Sequence, residues 1–157
     1  MEPAPRPALW LVAPLLVLSA VSGAGTMGAP WLADWPLLLV GLSPRLPFLA
    51  IASHQVGLVP FLVVGTFRLC AGDPFHFLLG RRFAHAAHHR RFPRFARLVH
   101  RPNSRRAAAA AVLMRPIGRH QALAGATGVP SAWVVALDVA GTLAYLAVVK
   151  AGGSALL

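Results

Sequence analysis

"VLMRPIGRHQALAG", residues 112–125, is apolar enough to enter a membrane, yet it carries Arg115 and Arg119 four residues apart around a Pro-Ile-Gly break. Ionised side chains at membrane depth cost several kcal/mol, so they usually face a cavity or a partner. An i, i+4 pair shares one helix face, so both guanidiniums can converge on one anion. A planar guanidinium engages two oxygens of a phosphate together. Pro116 and Gly118 loosen the helix between the two cations and can open a polar pocket there. The plainer alternative keeps residues 107–120 at the membrane interface with both arginines snorkelling into headgroups.

Composition favours a membrane setting. The 157 residues are 57% hydrophobic and only 12% charged, with a mean hydropathy of +0.63. Soluble domains average about 25% charged residues, which excludes the ordinary globular class. The length suits one domain. Fifteen Lys and Arg stand against four acids, and Lys150 is the one lysine. Such charge suits nucleic acid or anionic lipid, and its placement decides between them. Nine of the fifteen cations fall within residues 81–106, without one acid, between apolar stretches. That is the pattern of a cytoplasmic loop under the positive-inside rule, not of a nucleic-acid binder. Phe83, Phe92 and Phe95 would let part of the loop lie on anionic headgroups as a basic amphipathic helix.

Around this loop the chain divides into apolar segments. Residues 8–24 are of about spanning length and read as a first transmembrane helix, with a cleaved signal peptide as the alternative. Residues 31–57, "WLADWPLLLVGLSPRLPFLAIASHQVG", open on Trp31 and Trp35 and are then cut by Ser43-Pro44-Arg45 and Pro47. A broken apolar segment of this kind predicts a re-entrant hairpin, because irregular backbone at membrane depth must be sheltered. Residues 56–71 continue apolar, and Asp73-Pro74 marks a helix start. Residues 107–126 and 131–153 read as two closing spans, joined by a turn at Gly128-Val129-Pro130, with Lys150 on the cytoplasmic side. The division is therefore 1–30 for the N-terminal helix and 31–153 for a membrane domain that includes loop 81–106.

Other chemistry is thinly represented. Cys70 is the one cysteine, so no internal disulfide is possible and no cysteine-based zinc site is expected, and it reads as a small buried hydrophobe. His85, His88 and His89 share a face, but neighbouring arginines repel a cation and no acid is close, so a solvated basic face is expected. No nucleophile triad, phosphate-cradling loop or cofactor motif is present, which leaves no catalytic residue, metal ligand or cofactor to name and argues against an enzyme. Asp138 falls mid-way along the last span and needs a counter-ion, which Arg115 or Arg119 would supply. It could instead load and release a proton, and Asp73 reads either as a helix cap or as a second such acid.

"GDPFHFLLGRR" (72–82), followed past the basic loop by "RPIGRHQALAGATGVPSAWVVALDVAGTLAY" (115–145), resembles the DedA family, the SNARE-associated or VTT-domain membrane proteins. Asp73, Gly80 and Arg81 match its acidic residue near a helix-ending Gly-Arg. Arg115, Pro116, Gly118, Arg119 and Gly125 match its arginine segment, and Gly141 and Tyr145 its final span. The family's glutamate in the first re-entrant segment has no counterpart, since only Asp34 and Arg45 stand there. The resemblance implies an all-α, polytopic membrane fold with re-entrant hairpins that transports or scrambles phospholipids or polyprenyl-phosphate lipids. It also implies residence in the cell membrane as a multi-pass protein. Arg115, Arg119, Gly118 and Arg81 would bind the lipid phosphate, while Asp73, Asp138 and Asp34 would act as counter-ions or proton carriers. Membrane lipids are the expected partners, and self-association is left open. The rival reading is a non-transporting membrane scaffold whose basic loop binds anionic lipid or a partner protein.

Overall fold

The structure, a computed structural model, describes the backbone of residues 9–89, 103–114 and 118–155, and the side chains of these except 85–89 and 153–155. The described residues form helices joined by short turns, without a strand. The helices are α1 (Leu9–Met27), α2 (Ala29–Leu32), α3 (Pro36–Leu42), α4 (Leu46–Gln55), α5 (Leu58–Cys70), α6 (Asp73–His89), α7 (Ser104–Met114), α8 (Gly118–Ala126) and α9 (Ser131–Ala155). Three stretches among them are long and apolar enough to cross a membrane: Leu9–Met27, Leu58–Ala84 and Ser131–Gly152.

Prolines set the breaks. Pro36 opens α3, and Pro47 lies in the first turn of α4, where a missing N–H costs nothing. Between them, Ser43 leaves the helical region and its hydroxyl meets the Thr26 hydroxyl at 3.0 Å. Each broken helix leaves carbonyls without an intrahelical partner at its C-terminus, an expensive situation where water is excluded. Cations from neighbouring segments answer three of these ends. Arg68 on α5 donates from Nε to the Gly41 carbonyl at 2.8 Å and from Nη2 to that of Leu42 at 3.1 Å. The same Nη2 reaches the Leu18 carbonyl and the Ser22 hydroxyl of α1. Lys150 on α9 donates to the carbonyls of Ser53 and Val56 at the end of α4. Arg105 on α7 donates to the Thr127 carbonyl just past α8. Positive charge is favourable at helix C-termini, so the placement is electrostatically consistent.

Helix α9 is the spine. Its Leu146 packs with Val40, Leu49, Ala52 and Phe61 from α3, α4 and α5. Its Val134, nearer the N-terminus, packs with Phe77, Ala108, Val112 and Ala124 from α6, α7 and α8. Outside these cores the surface is oily. All four tryptophans are exposed, Trp31 at 80%, and so are Leu16, Val17, Val63, Phe67 and Val148. Water would not tolerate so large an apolar surface; lipid would, with tryptophan suited to its interface.

The segment 107–126, expected as a closing span loosened at Pro116 and Gly118, parts between Met114 and Gly118. It is not one span but two short helices in contact, α7 and α8. Because Arg105 at the start of α7 reaches Thr127 past the end of α8, the two run antiparallel as a hairpin. The turn expected at Gly128-Val129-Pro130 is present. Gly128 takes φ +72°, a region that suits glycine, and Val129 N–H bonds the Ala124 carbonyl at 3.2 Å.

Lys150 is a test of the capping scheme. Its ammonium holds two carbonyls and lies 6.0 Å from the centre of the Phe61 ring. Lys150→Met keeps the stem but strands the α4 carbonyls, so stability should fall by about 1–3 kcal/mol, read as thermal unfolding in detergent.

Candidate functional site

Helix α5 ends at Cys70, a turn at Ala71–Gly72 follows, and α6 begins at Asp73. This places a thiol and a carboxylate on either side of one break. Asp73 suits the position, since a carboxylate is favourable in the first turn of a helix. Opposite stands α9 with Asp138 and, one turn on, Thr142, to whose hydroxyl the Cys70 thiol donates at 3.6 Å. Helix α8 contributes Gln121 from a third direction.

Glycines bring α8 and α6 this close. A Cβ at Gly80 would land on the Ala122 backbone, and one at Gly125 on the Phe77 carbonyl. Gly141 likewise lets α9 approach the backbone of α7 at Leu113. Small residues at such crossings are how membrane helices pack backbone to backbone.

The resulting cluster is compact and dry. The Cys70 Sγ and one carboxylate oxygen from each of Asp73 and Asp138 lie within 4.8 Å of one another. Asp73 is 7% exposed, Asp138 4% and Gln121 1%. Asp138 Oδ1 and both amide atoms of Gln121 have no hydrogen-bond partner among the described residues. All four side chains line one cavity of about 300 Å³, which Arg81 also lines. Two carboxylates this close in apolar surroundings cannot both stay ionised alone; they share a proton or hold a cation between them. Buried amides without partners are rare and point to a missing ligand. The cluster can therefore hold a cation.

No known protein family, curated protein or solved structure matches the chain.

The residues singled out in the sequence fall into three groups. Asp73 and Asp138 come together, and Arg81, though exposed, shares their cavity. Arg119 does not supply the Asp138 counter-ion. It is exposed, and two positions along α8 from Gln121 it points roughly 200° away from the cavity-facing side. Asp34 is exposed at the turn between α2 and α3 and lies outside the cavity. Gly118 opens α8 against the His76 imidazole, which leaves no room for a Cβ. Arg115 lies outside the described residues, as do residues 90–102 of the basic loop. His85, His88 and His89 lie outside the described side chains.

Cys70 and Gln121 are the participants that sequence reasoning missed. Cys70 is not the buried spacer expected but half-buried beside the two acids. Its spacing to Asp73, Cys-x-x-Asp across an Ala-Gly break, was the available signal. Gln121 signalled itself only as an amide in an apolar segment, four residues before the glycine that docks α8 on α6.

Proposed function

We propose that the chain is a polytopic cell-membrane transporter or scramblase of the DedA type, acting on a phospholipid or polyprenyl-phosphate lipid. In this reading the two pairs of short helices, α3 with α4 and α7 with α8, are re-entrant hairpins. The observation that carries it is the buried Asp73–Asp138 pair lining a cavity it shares with Arg81. The acids form the cation-loading half of the site; Arg81 meets the lipid phosphate at the cavity, and Arg119 on the outward face of α8, together with Arg115, attracts the headgroup to it. Coupling follows from charge: loading a cation between the acids neutralises a cavity that otherwise repels an anionic headgroup.

The test is reconstitution of the full chain into vesicles with a fluorescent phospholipid reporter. Asp138→Asn and Arg119→Ala, each inserted normally, should slow translocation by about tenfold or more, the effect of a single interaction of ~1.4 kcal/mol. Unchanged translocation in both variants would sink the reading. If only neutralising arginines 90–106 abolishes function, the chain is a scaffold held by its basic loop.

A further inference from the structure

We infer that the Cys70–Asp73–Asp138–Gln121 cluster is a binding site for a divalent transition-metal cation of the zinc class. The inference rests on this cavity being the cation-loading half of the site, but not on lipid being moved.

The donor set argues for a metal rather than a proton. A proton shared by Asp73 and Asp138 would leave the buried Gln121 amide without a partner, and the Cys70 thiol with only its long bond to Thr142. Gln121 is 1% exposed, lines the cavity and has neither amide atom bonded, and Asp138 Oδ1 is equally without a partner. One thiolate sulfur, two carboxylate oxygens and one amide oxygen make a four-donor set drawn from α5, α6, α8 and α9.

Geometry and softness choose among cations. Zinc binds sulfur at about 2.3 Å and carboxylate oxygen at about 2.0–2.2 Å in a tetrahedron, which sets donor separations near 3.4–3.6 Å. The thiol and carboxylate atoms already lie within 4.8 Å of one another, so side-chain rotation alone can close them on an ion. Magnesium and calcium take six or more oxygens, and a thiolate is a poor ligand for either. A divalent ion also offsets the charge of both carboxylates, which no basic side chain among the described residues does from within the cluster. Bound there, it would tie α8 and α9 to the α5–α6 break.

Cys70 is the one cysteine in the chain, which makes the experiment clean. Purified full-length protein in detergent is titrated with cobalt(II), and the sulfur-to-cobalt charge-transfer absorption is followed. One equivalent should bind with that band present, and Cys70→Ser should abolish the band. Asp138→Asn and Gln121→Leu should weaken binding by about 10–100-fold or more, at least the loss seen for outer-shell partners. Zinc should also slow maleimide labelling of Cys70 in the unmodified protein, which needs no variant to fold. Cobalt bound without the band, as by histidines of the basic loop, together with Cys70 labelling indifferent to zinc, would overturn the site. Lipid translocation is measured separately: metal binding without translocation overturns the transporter reading alone, and translocation without metal binding overturns this inference alone.

Discussion

Gly125→Ala should destabilise the protein by about 2 kcal/mol, whereas Gly23→Ala should leave it unchanged or slightly more stable. Both changes place alanine in a helix, where it is favoured over glycine by about 1 kcal/mol. At Gly23 a Cβ meets nothing within 4 Å, so only that gain operates. At Gly125 the same atom would land on the Phe77 carbonyl oxygen, 2.9 Å from its carbon and 3.0 Å from the Arg81 nitrogen. These are backbone atoms of α6 and have no rotamer to change. Overpacking a close contact costs about 1–3 kcal/mol, and backbone against backbone belongs at the upper end, which outweighs the propensity gain. Separating α8 from α6 also withdraws Gln121 from the two acids. Thermal unfolding of both variants in the same detergent checks the claim: equal midpoints would mean that the α6–α8 crossing tolerates a wider spacing. In that case the cavity is not held by its glycines.

The broken architecture is legible in part because breaks are local. Ser43-Pro44-Arg45 and Pro47 forbid a continuous helix whatever surrounds them, and α3 and α4 are divided there. The start of α6 at Asp73 and the turn at Gly128 are legible for the same reason. Residues 107–126 read as a closing span by apolar content and length, with a break at Pro-Ile-Gly, and the helices do part between Met114 and Gly118. What docks the two halves is tertiary. Arg105 answers the end of α8, and Gly141 and Gly80 leave room for α7 and α8 to dock on neighbouring backbone. Pro116 and Gly118 mark where the segment can break, but not which backbones its two halves then dock against.

The site divides along the same line. Asp73 and Asp138 stand out as acids in apolar surroundings, and a sequence can count those. Which groups meet them depends on helix rotation, which a sequence with a break between Arg115 and Arg119 does not determine. The expected Asp138–Arg119 pairing fails because Gln121 and Gly125, four residues apart, share the buried face of α8 and turn Arg119 outward. The partner of Asp138 is another acid, far away in sequence on a helix reached only through the fold.

Arg68→Met should lower stability by about 2–3 kcal/mol, with Arg68→Lys in between and Arg82→Met nearly silent. Methionine matches much of the arginine stem, so apolar packing is largely kept. What is lost is a fork of donors: Nε to Gly41, and Nη2 to Leu42, Leu18 and the Ser22 hydroxyl. Gly41 and Leu42 belong to the last turn of α3, whose carbonyls have no further residue to bond. Leaving such an acceptor unsatisfied costs about 1–3 kcal/mol; Gly41 is stranded outright, and Leu42 keeps only the 3.3 Å bond from the Ser22 hydroxyl. Lysine keeps the charge, but its compact head cannot span carbonyls on both α1 and α3 as a planar guanidinium does. Arg82 is exposed, and surface changes of that kind stay within about 0.5 kcal/mol. Thermal unfolding in detergent should rank the wild type above Arg68→Lys and Arg68→Lys above Arg68→Met, with protease reaching the α3–α4 connection first in the last. If Arg68→Met unfolds with Arg82→Met, α3 is held by its apolar contacts with α5, and the cations in this oily chain need an explanation other than the ends of its broken helices.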